Sequence, residues 1–233
     1  MMKQALLSGL TTLDRTLEPA QVDAFCAFGD ALLEKNQVMN LTAITEPSAV
    51  AQLHFLDCMA LLNLADFRDK AVIDVGCGAG FPGVPLKIAE PSIHLTLLDS
   101  LKKRVDWLAE VLPGLGVEAE CVSARAEEYA ADHRECYDFA VSRAVARLNM
   151  LAELCLPLVT VGGTFIAMKS VDSDAEISQA ARAISLLGGR VEKILDYTVP
   201  GTDTLHRAVV IQKVKKTPGQ YPRRFAKIKQ SPL

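Results

Sequence analysis

Ala71-Val72-Ile73-Asp74-Val75-Gly76-Cys77-Gly78-Ala79-Gly80-Phe81-Pro82-Gly83 is the stretch that decides how the rest of the chain reads. Its first half is apolar on both faces, the pattern of a parallel-sheet strand covered by helices on each side. Gly76, Gly78 and Gly80 then alternate. Without a Cβ, each can take a left-handed backbone and let a ligand approach the main chain closely. Pro82 and Gly83 turn the chain into a helix predicted over 83–90.

The chemistry of the loop narrows its ligand. A dinucleotide fingerprint G-x-G-x-x-G would need glycine where Phe81 stands, and there is no P-loop lysine. Asp74 lies two residues before the first glycine, where a carboxylate would repel pyrophosphate and attract a cation. S-adenosylmethionine (AdoMet) carries a sulfonium and an ammonium and no phosphate, so it suits that sign. A strand-to-helix turn without any ligand suits the same spacing. A second strand is predicted over 93–99 and ends in Asp99, 23 residues after Gly76. An acid there is placed to accept hydrogen bonds from ribose hydroxyls. NAD enzymes share this feature, so it points to an adenosine nucleoside and not to AdoMet in particular.

At this point the sequence resembles a known family. Asp74 to Ile88, Leu97-Leu98-Asp99-Ser100 with Lys103-Arg104, Arg125-Ala126-Glu127-Glu128 and Ser142-Arg143-Ala144-Val145-Ala146 are similar to the RsmG (GidB) family. The likeness continues in Met39 to Ile44, His54 to Asp57 and Tyr221 to Arg224, so it covers nearly the whole chain. It implies an AdoMet-dependent methyltransferase that modifies N7 of one guanine in bacterial 16S ribosomal RNA. The expected fold is α/β, class I AdoMet-dependent methyltransferase (Rossmann-like), with a seven-stranded mostly parallel sheet, helices on both faces and an N-terminal helical extension. The partner would be 16S rRNA or the small ribosomal subunit, and a monomer is expected. Where the family pattern commonly has serine after Asp57, this chain has Cys58, and Ser170 replaces a frequent glycine.

The expected cofactor positions are Gly76, Gly78, Gly80, Phe81 and Asp99, with Arg143. The Ala126 N–H and Glu127 frame the adenine edge, a pair to which strand-end position and family likeness both point; a helix N-terminus with its usual acids gives the same residues. The fourth strand is predicted over 137–141 and ends in Ser142-Arg143-Ala144. Amino-group methylases usually carry an Asn/Asp-Pro-Pro-aromatic turn here, and pyrimidine C5 methylases a Pro-Cys dipeptide. Both are absent. Guanine N7 needs neither, because it has an in-plane lone pair and no proton to lose. No residue is therefore assigned as a general base. Arg143 is the candidate for positioning, since a guanidinium can bond guanine O6, a phosphate or the AdoMet carboxylate.

Composition sets the outer bounds. Half of the 233 residues are hydrophobic, enough for a large core. Six scattered cysteines contain no C-x-x-C pair, which suggests neither zinc nor a disulfide framework and fits a cytoplasmic location. No signal peptide or membrane span is read. Net charge is −3, yet the last thirty residues hold eight Lys or Arg and no acid, leaving −11 on the remainder. A basic tail on an acidic body can bind phosphate locally, and a solvated, frayed terminus has the same composition.

Three parts are expected: a helical extension over 1–66, a methyltransferase domain over 67–214 and a basic tail over 215–233. In the extension Asn40 suits either turn formation or substrate contact. His54 and Asp57 share a helix face, as a local charge-assisted pair or as a wall of the substrate site. Lys169 ends the strand predicted over 164–169. Tyr221, Arg223 and Arg224 are the tail residues expected to meet RNA, by stacking and charge. In the helix predicted over 101–112, Leu101, Val105, Leu108 and Leu112 form the inward stripe, and Trp107 falls off it. Further strands are predicted over 117–122, 191–199 and 206–214.

Overall fold

A computed structural model describes all residues, 1–233. The N-terminal extension holds α1 (Met2–Thr12), α2 (Pro19–Met39), α3 (Pro47–Val50) and α4 (Asp57–Met59), and between the last two a π-helical turn spans Ala51–Leu56. Pro19 and Pro47 each open a helix, where a missing N–H costs nothing. Glu18 and Gln21 form a reciprocal cap on α2.

Strand and helix then alternate through β1 (Ala71–Val75), α5 (Gly83–Ala89), β2 (His94–Asp99), α6 (Lys102–Val111), β3 (Glu120–Ser123), α7 (Ala126–Tyr129), β4 (Tyr137–Arg143), α8 (Leu148–Cys155), β5 (Val159–Ser170) and α9 (Asp174–Leu186). The chain ends in β6 (Gly189–Thr198), β7 (Leu205–Lys213) and α10 (Phe225–Gln230). The sheet order is β3-β2-β1-β4-β5-β7-β6. Strands β1 to β5 are parallel, and β7 runs antiparallel between β5 and β6. The order reverses between β1 and β4, which opens a crevice beyond their carboxyl ends, the usual place for a ligand.

One face of the sheet shares its core with the extension. Phe25, Phe28 and Phe55 pack with Phe81 and Trp107 in a single apolar cluster. Trp107 is buried there, its ring 6.1 Å from that of Phe28 and nearly parallel to it. The helical stripe missed it because the stripe counts only the sheet, whereas α2 covers the flank of α6. Leu101, placed inward by the same stripe, is exposed and lies outside the helix. The other face packs α8 and α9, and the tail joins it through Tyr221 and Ile228. Strand β5 begins five residues earlier than its expected start, because Gly162 at φ +93° accommodates a bulge opposite Tyr137–Phe139. No helix is long and apolar enough to cross a membrane.

Candidate active site

The glycine loop leaves β1 at the switch point and is tied to β2, with Gly76 N–H and Cys77 N–H both donating to the Leu98 carbonyl at 2.8 and 3.1 Å. Gly78 takes φ +56°, and a Cβ there would meet nothing closer than 3.9 Å, so its main chain lies open to the crevice. Gly80, at φ +93°, serves packing instead. A Cβ on it would come within 2.7 Å of Val84.

Asp74 does not face the crevice, contrary to the charge argument made from the sequence. Its side chain is fully buried under α5, where Oδ2 accepts the Gly83 N–H at 2.8 Å and Oδ1 has no partner. It holds the turn from loop to helix. Burial pushes its pKa up to about 7. The native state therefore binds more protons than the unfolded chain between the ordinary carboxylate range and about pH 7. This group's contribution to stability is greatest in acid and is lost as pH rises through that window. An Asp74→Asn variant should gain stability relative to wild type as pH rises from about 4 to 8. Urea unfolding of both proteins across that range checks the sign. A difference independent of pH would contradict it.

Two contiguous cavities open above the strand ends, sharing Gly76, Arg104 and Ala144. The smaller, about 280 Å³, is lined by Asp99, Leu101, Ala126, Glu127, Val145 and Phe225 among others. Asp99 Oδ2 accepts the Gly78 N–H at 2.9 Å and Oδ1 the Leu101 N–H at 2.8 Å, so the carboxylate joins the loop to the end of β2. The larger cavity, about 500 Å³, contains Gly78, Thr42, His54, Phe81, Arg143 and Lys169 in its wall.

Arg143 organises this second space. Its guanidinium donates to the Leu53 carbonyl at 3.1 Å, to Asp57 Oδ2 at 3.2 Å and to His54 Nδ1 at 2.9 Å. Three of five N–H donors are thus held inside the protein, and two remain. The guanidinium carbon lies 4.9 Å from the centroid of Phe81, and the His54 ring stacks on the same side chain at 4.5 Å. His54 Nε2 meets Thr42 Oγ1 at 2.8 Å. Because Nδ1 accepts from Arg143, the imidazole is neutral with its proton on Nε2. Burial and the neighbouring guanidinium push its pKa down to about 3.

Asp57, wholly buried, accepts from Tyr197 Oη and His206 Nδ1, each at 2.8 Å, as well as from Arg143. His54 and Asp57 therefore do not pair with each other as their spacing suggested. Arg143 bridges them, and His54 is uncharged. The π-helical turn that carries His54 widens the helix at this point, a distortion often found at functional sites. Ala144, next to Arg143, holds φ +57° and lines both cavities. A left-handed alanine costs on the order of 1 kcal/mol and is the kind of strain that collects at such sites.

With this geometry described, comparison with known proteins places the chain. The family described as rRNA small subunit methyltransferase G (GidB) matches residues 21–202. The chain belongs to that family. The Ribosomal RNA small subunit methyltransferase G of Acetivibrio thermocellus is 43% identical over 100% of this chain and 97% of its own. That of Alkaliphilus metalliredigens is 45% identical over 99% and 98%. Among solved structures, a ribosomal protein L11 methylase from Lactobacillus delbrueckii superposes with TM-score 0.53 at 14% identity, covering 74% of this chain and 81% of that one. The mitomycin 7-O-methyltransferase MmcR superposes at 0.56 and 15%, covering 80% and 60%. These last two show the fold alone.

Within this GidB chain the expected site residues divide clearly. Gly76, Gly78, Phe81, Asp99, Ala126, Glu127, Arg143, His54 and Lys169 all line the joined cavities, whereas Gly80 lies behind them. Lys169 is already engaged, donating to the Ala146 carbonyl at 2.7 Å and pairing with Glu176 at 2.6 Å. Asn40 is exposed and caps α2 in a left-handed conformation, φ +50°. Its neighbours Leu41 and Thr42 reach the cavity in its stead.

Tyr221 is buried in the core, and Arg223 is paired at 2.6 Å with the fully buried Glu153. Arg224 alone of the three tail residues is exposed. Two further cations of the last thirty residues, both on β7, are internal as well: Arg207 pairs with Asp174 and Asp196, and Lys213, fully buried, has its pKa pushed down to about 8 by burial. Sequence reasoning missed Thr42, Tyr197 and His206, and it read Phe225 only as an aromatic among the tail cations suited to RNA stacking, whereas that ring lines the smaller cavity. A histidine and a tyrosine on two adjacent late strands gave no sign that both would reach the same aspartate.

Proposed function

We propose that this chain transfers the methyl group of AdoMet to N7 of a guanine in 16S ribosomal RNA. The observation that carries the reading is the joined pair of cavities, one with carboxylates suited to a nucleoside and one with an aromatic and guanidinium wall suited to a purine base. In the smaller space Asp99 and Glu127 supply acceptors for ribose hydroxyls and an adenine amino group, between the apolar side chains of Leu101 and Val145. The open main chain of Gly78 admits the ligand's amino-acid end into the larger space. Bound there, AdoMet supplies an electrophilic methyl carbon.

Guanine N7 loses no proton on methylation, so the larger cavity need supply no general base. Both nitrogens of His54 are occupied, and both oxygens of Asp57 accept from other side chains. His206 Nε2 is left without a partner on this wall, but N7 has no proton for it to take, so the residues act by positioning. Phe81, buried beneath His54 and Arg143, holds both in place, and the two uncommitted donors of Arg143 suit guanine O6 or a carboxylate. Holding a lone pair in line with the methyl group can supply most of the acceleration such a reaction needs.

In this reading the three parts of the chain have separate tasks. Residues 1–66 wall the acceptor side, 67–214 hold the cofactor, and 215–233 meet RNA. The small ribosomal subunit or its rRNA is the partner, and a monomer suffices because both cavities are complete within one chain. No cluster of three or more His, Cys, Asp or Glu is arranged to hold a metal.

Incubating the protein with methyl-labelled AdoMet and 16S rRNA from cells lacking the gene tests the reading. Label recovered as 7-methylguanosine is expected. Label in a small metabolite, with none in rRNA, would overturn it.

A further inference from the structure

We propose that Phe225 is a wall of the adenosine cavity and that the helix it opens also docks RNA, so that cofactor and RNA tighten each other's binding. The proposal rests on the functional reading above. Phe225 lines the 280 Å³ cavity together with Asp99, Leu101 and Glu127. It also lines a neighbouring surface groove of about 560 Å³, where Arg125, Arg224 and Lys229 stand with Glu127 and Glu128. One ring thus stands between the nucleoside side and a groove whose three cations outnumber its two carboxylates, with the exposed Lys227 on the same helix. The Arg125 guanidinium lies 5.2 Å from the centre of that ring, within range of cation–π attraction.

The helix is anchored from behind. Ile228 is fully buried, Arg223 holds Glu153, and Arg134 donates to the carbonyls of Thr217, Pro218 and Tyr221. Its outward side chains Arg224, Lys227 and Lys229 are exposed, and the last thirty residues of the chain contain no acid. Three like charges within six residues repel one another, and a helix this short is marginal without outside support. A phosphate backbone lying along those cations cancels the repulsion and holds α10, with Phe225, against the cavity. The coupling is reciprocal: whatever factor RNA adds to cofactor affinity, the cofactor adds to RNA affinity.

Calorimetric titration of the full-length protein with S-adenosylhomocysteine, which allows no turnover, tests both halves with and without a saturating 16S rRNA fragment. In wild type the fragment should lower the Kd for S-adenosylhomocysteine by about fivefold or more. Phe225→Ala should raise the Kd without RNA about tenfold and abolish the tightening, while Phe225→Leu, which keeps an apolar wall, recovers most of the affinity. The triple variant R224A/K227A/K229A should lose the tightening by RNA. Unchanged affinity in Phe225→Ala would overturn the wall, and equal wild-type affinity with and without bound RNA would overturn the coupling. Failure of the wild type to bind S-adenosylhomocysteine at all would instead overturn the functional reading itself.

Discussion

Replacing Asp99 by alanine is expected to weaken AdoMet binding by about two orders of magnitude while leaving the fold intact. An ionised carboxylate has about four acceptor sites. Two are used by the Gly78 and Leu101 N–H groups, and the side chain borders the smaller cavity. Hydrogen bonds from ribose hydroxyls to the remaining sites, at about 1.5–3 kcal/mol each, together amount to roughly 3 kcal/mol, or about a hundredfold in Kd. The variant also frees the Gly78 N–H, which loosens the loop against β2. Asp99→Asn keeps the shape without the charge and should fall between, about tenfold weaker than wild type. Titration calorimetry reads the affinity and circular dichroism the fold. Binding within twofold of wild type by a folded Asp99→Ala protein would remove Asp99 from the site.

Removing Asp57 should produce the largest loss of stability. Its carboxylate is completely buried, and the Arg143 side chain it holds is only 17% exposed. Asp57→Ala leaves that guanidinium without its counter-charge and leaves Tyr197 and His206 without their acceptor. Breaking a buried pair from one side costs about 3–5 kcal/mol, because the surviving charge stays desolvated. Removing both charges is far less costly. The double variant D57A/R143M is therefore expected to be more stable than Asp57→Ala alone, and inactive, since it has lost the positioning guanidinium. Urea unfolding of the single and double variants measures the coupling. A loss below about 1 kcal/mol in Asp57→Ala would show that the pair contributes little to the fold.

What the sequence disclosed and what it hid follow from the range of the interactions. The strand, glycine loop and second strand were readable because hydrophobic period, glycine spacing and Asp99 are all local signals within residues 71–99. The same holds for Ala126, Glu127 and Arg143, each at the end of a predicted strand. Asp74 was misjudged because its position in the chain, beside the loop, was taken for its direction in space. Alternation along β1 turns it beneath α5, away from the crevice. The Asp57 network could not be read, since its members are separated by as many as 149 positions and meet only when β6 and β7 close the sheet. Charge counting overstated the free cations of the last thirty residues for a similar reason. Arg207, Lys213 and Arg223 find buried or acidic partners on distant elements, and the exposed remainder is Lys215, Lys216, Arg224, Lys227 and Lys229.

The most direct measurement is a map of N7-methylated guanines in 16S rRNA from cells that carry the gene and cells that lack it, read by mass spectrometry of nuclease fragments. One guanine should lose its N7 methyl group with the gene and regain it when the wild-type gene, but not the Asp99→Ala form, is restored. Identical maps in both strains would contradict the account.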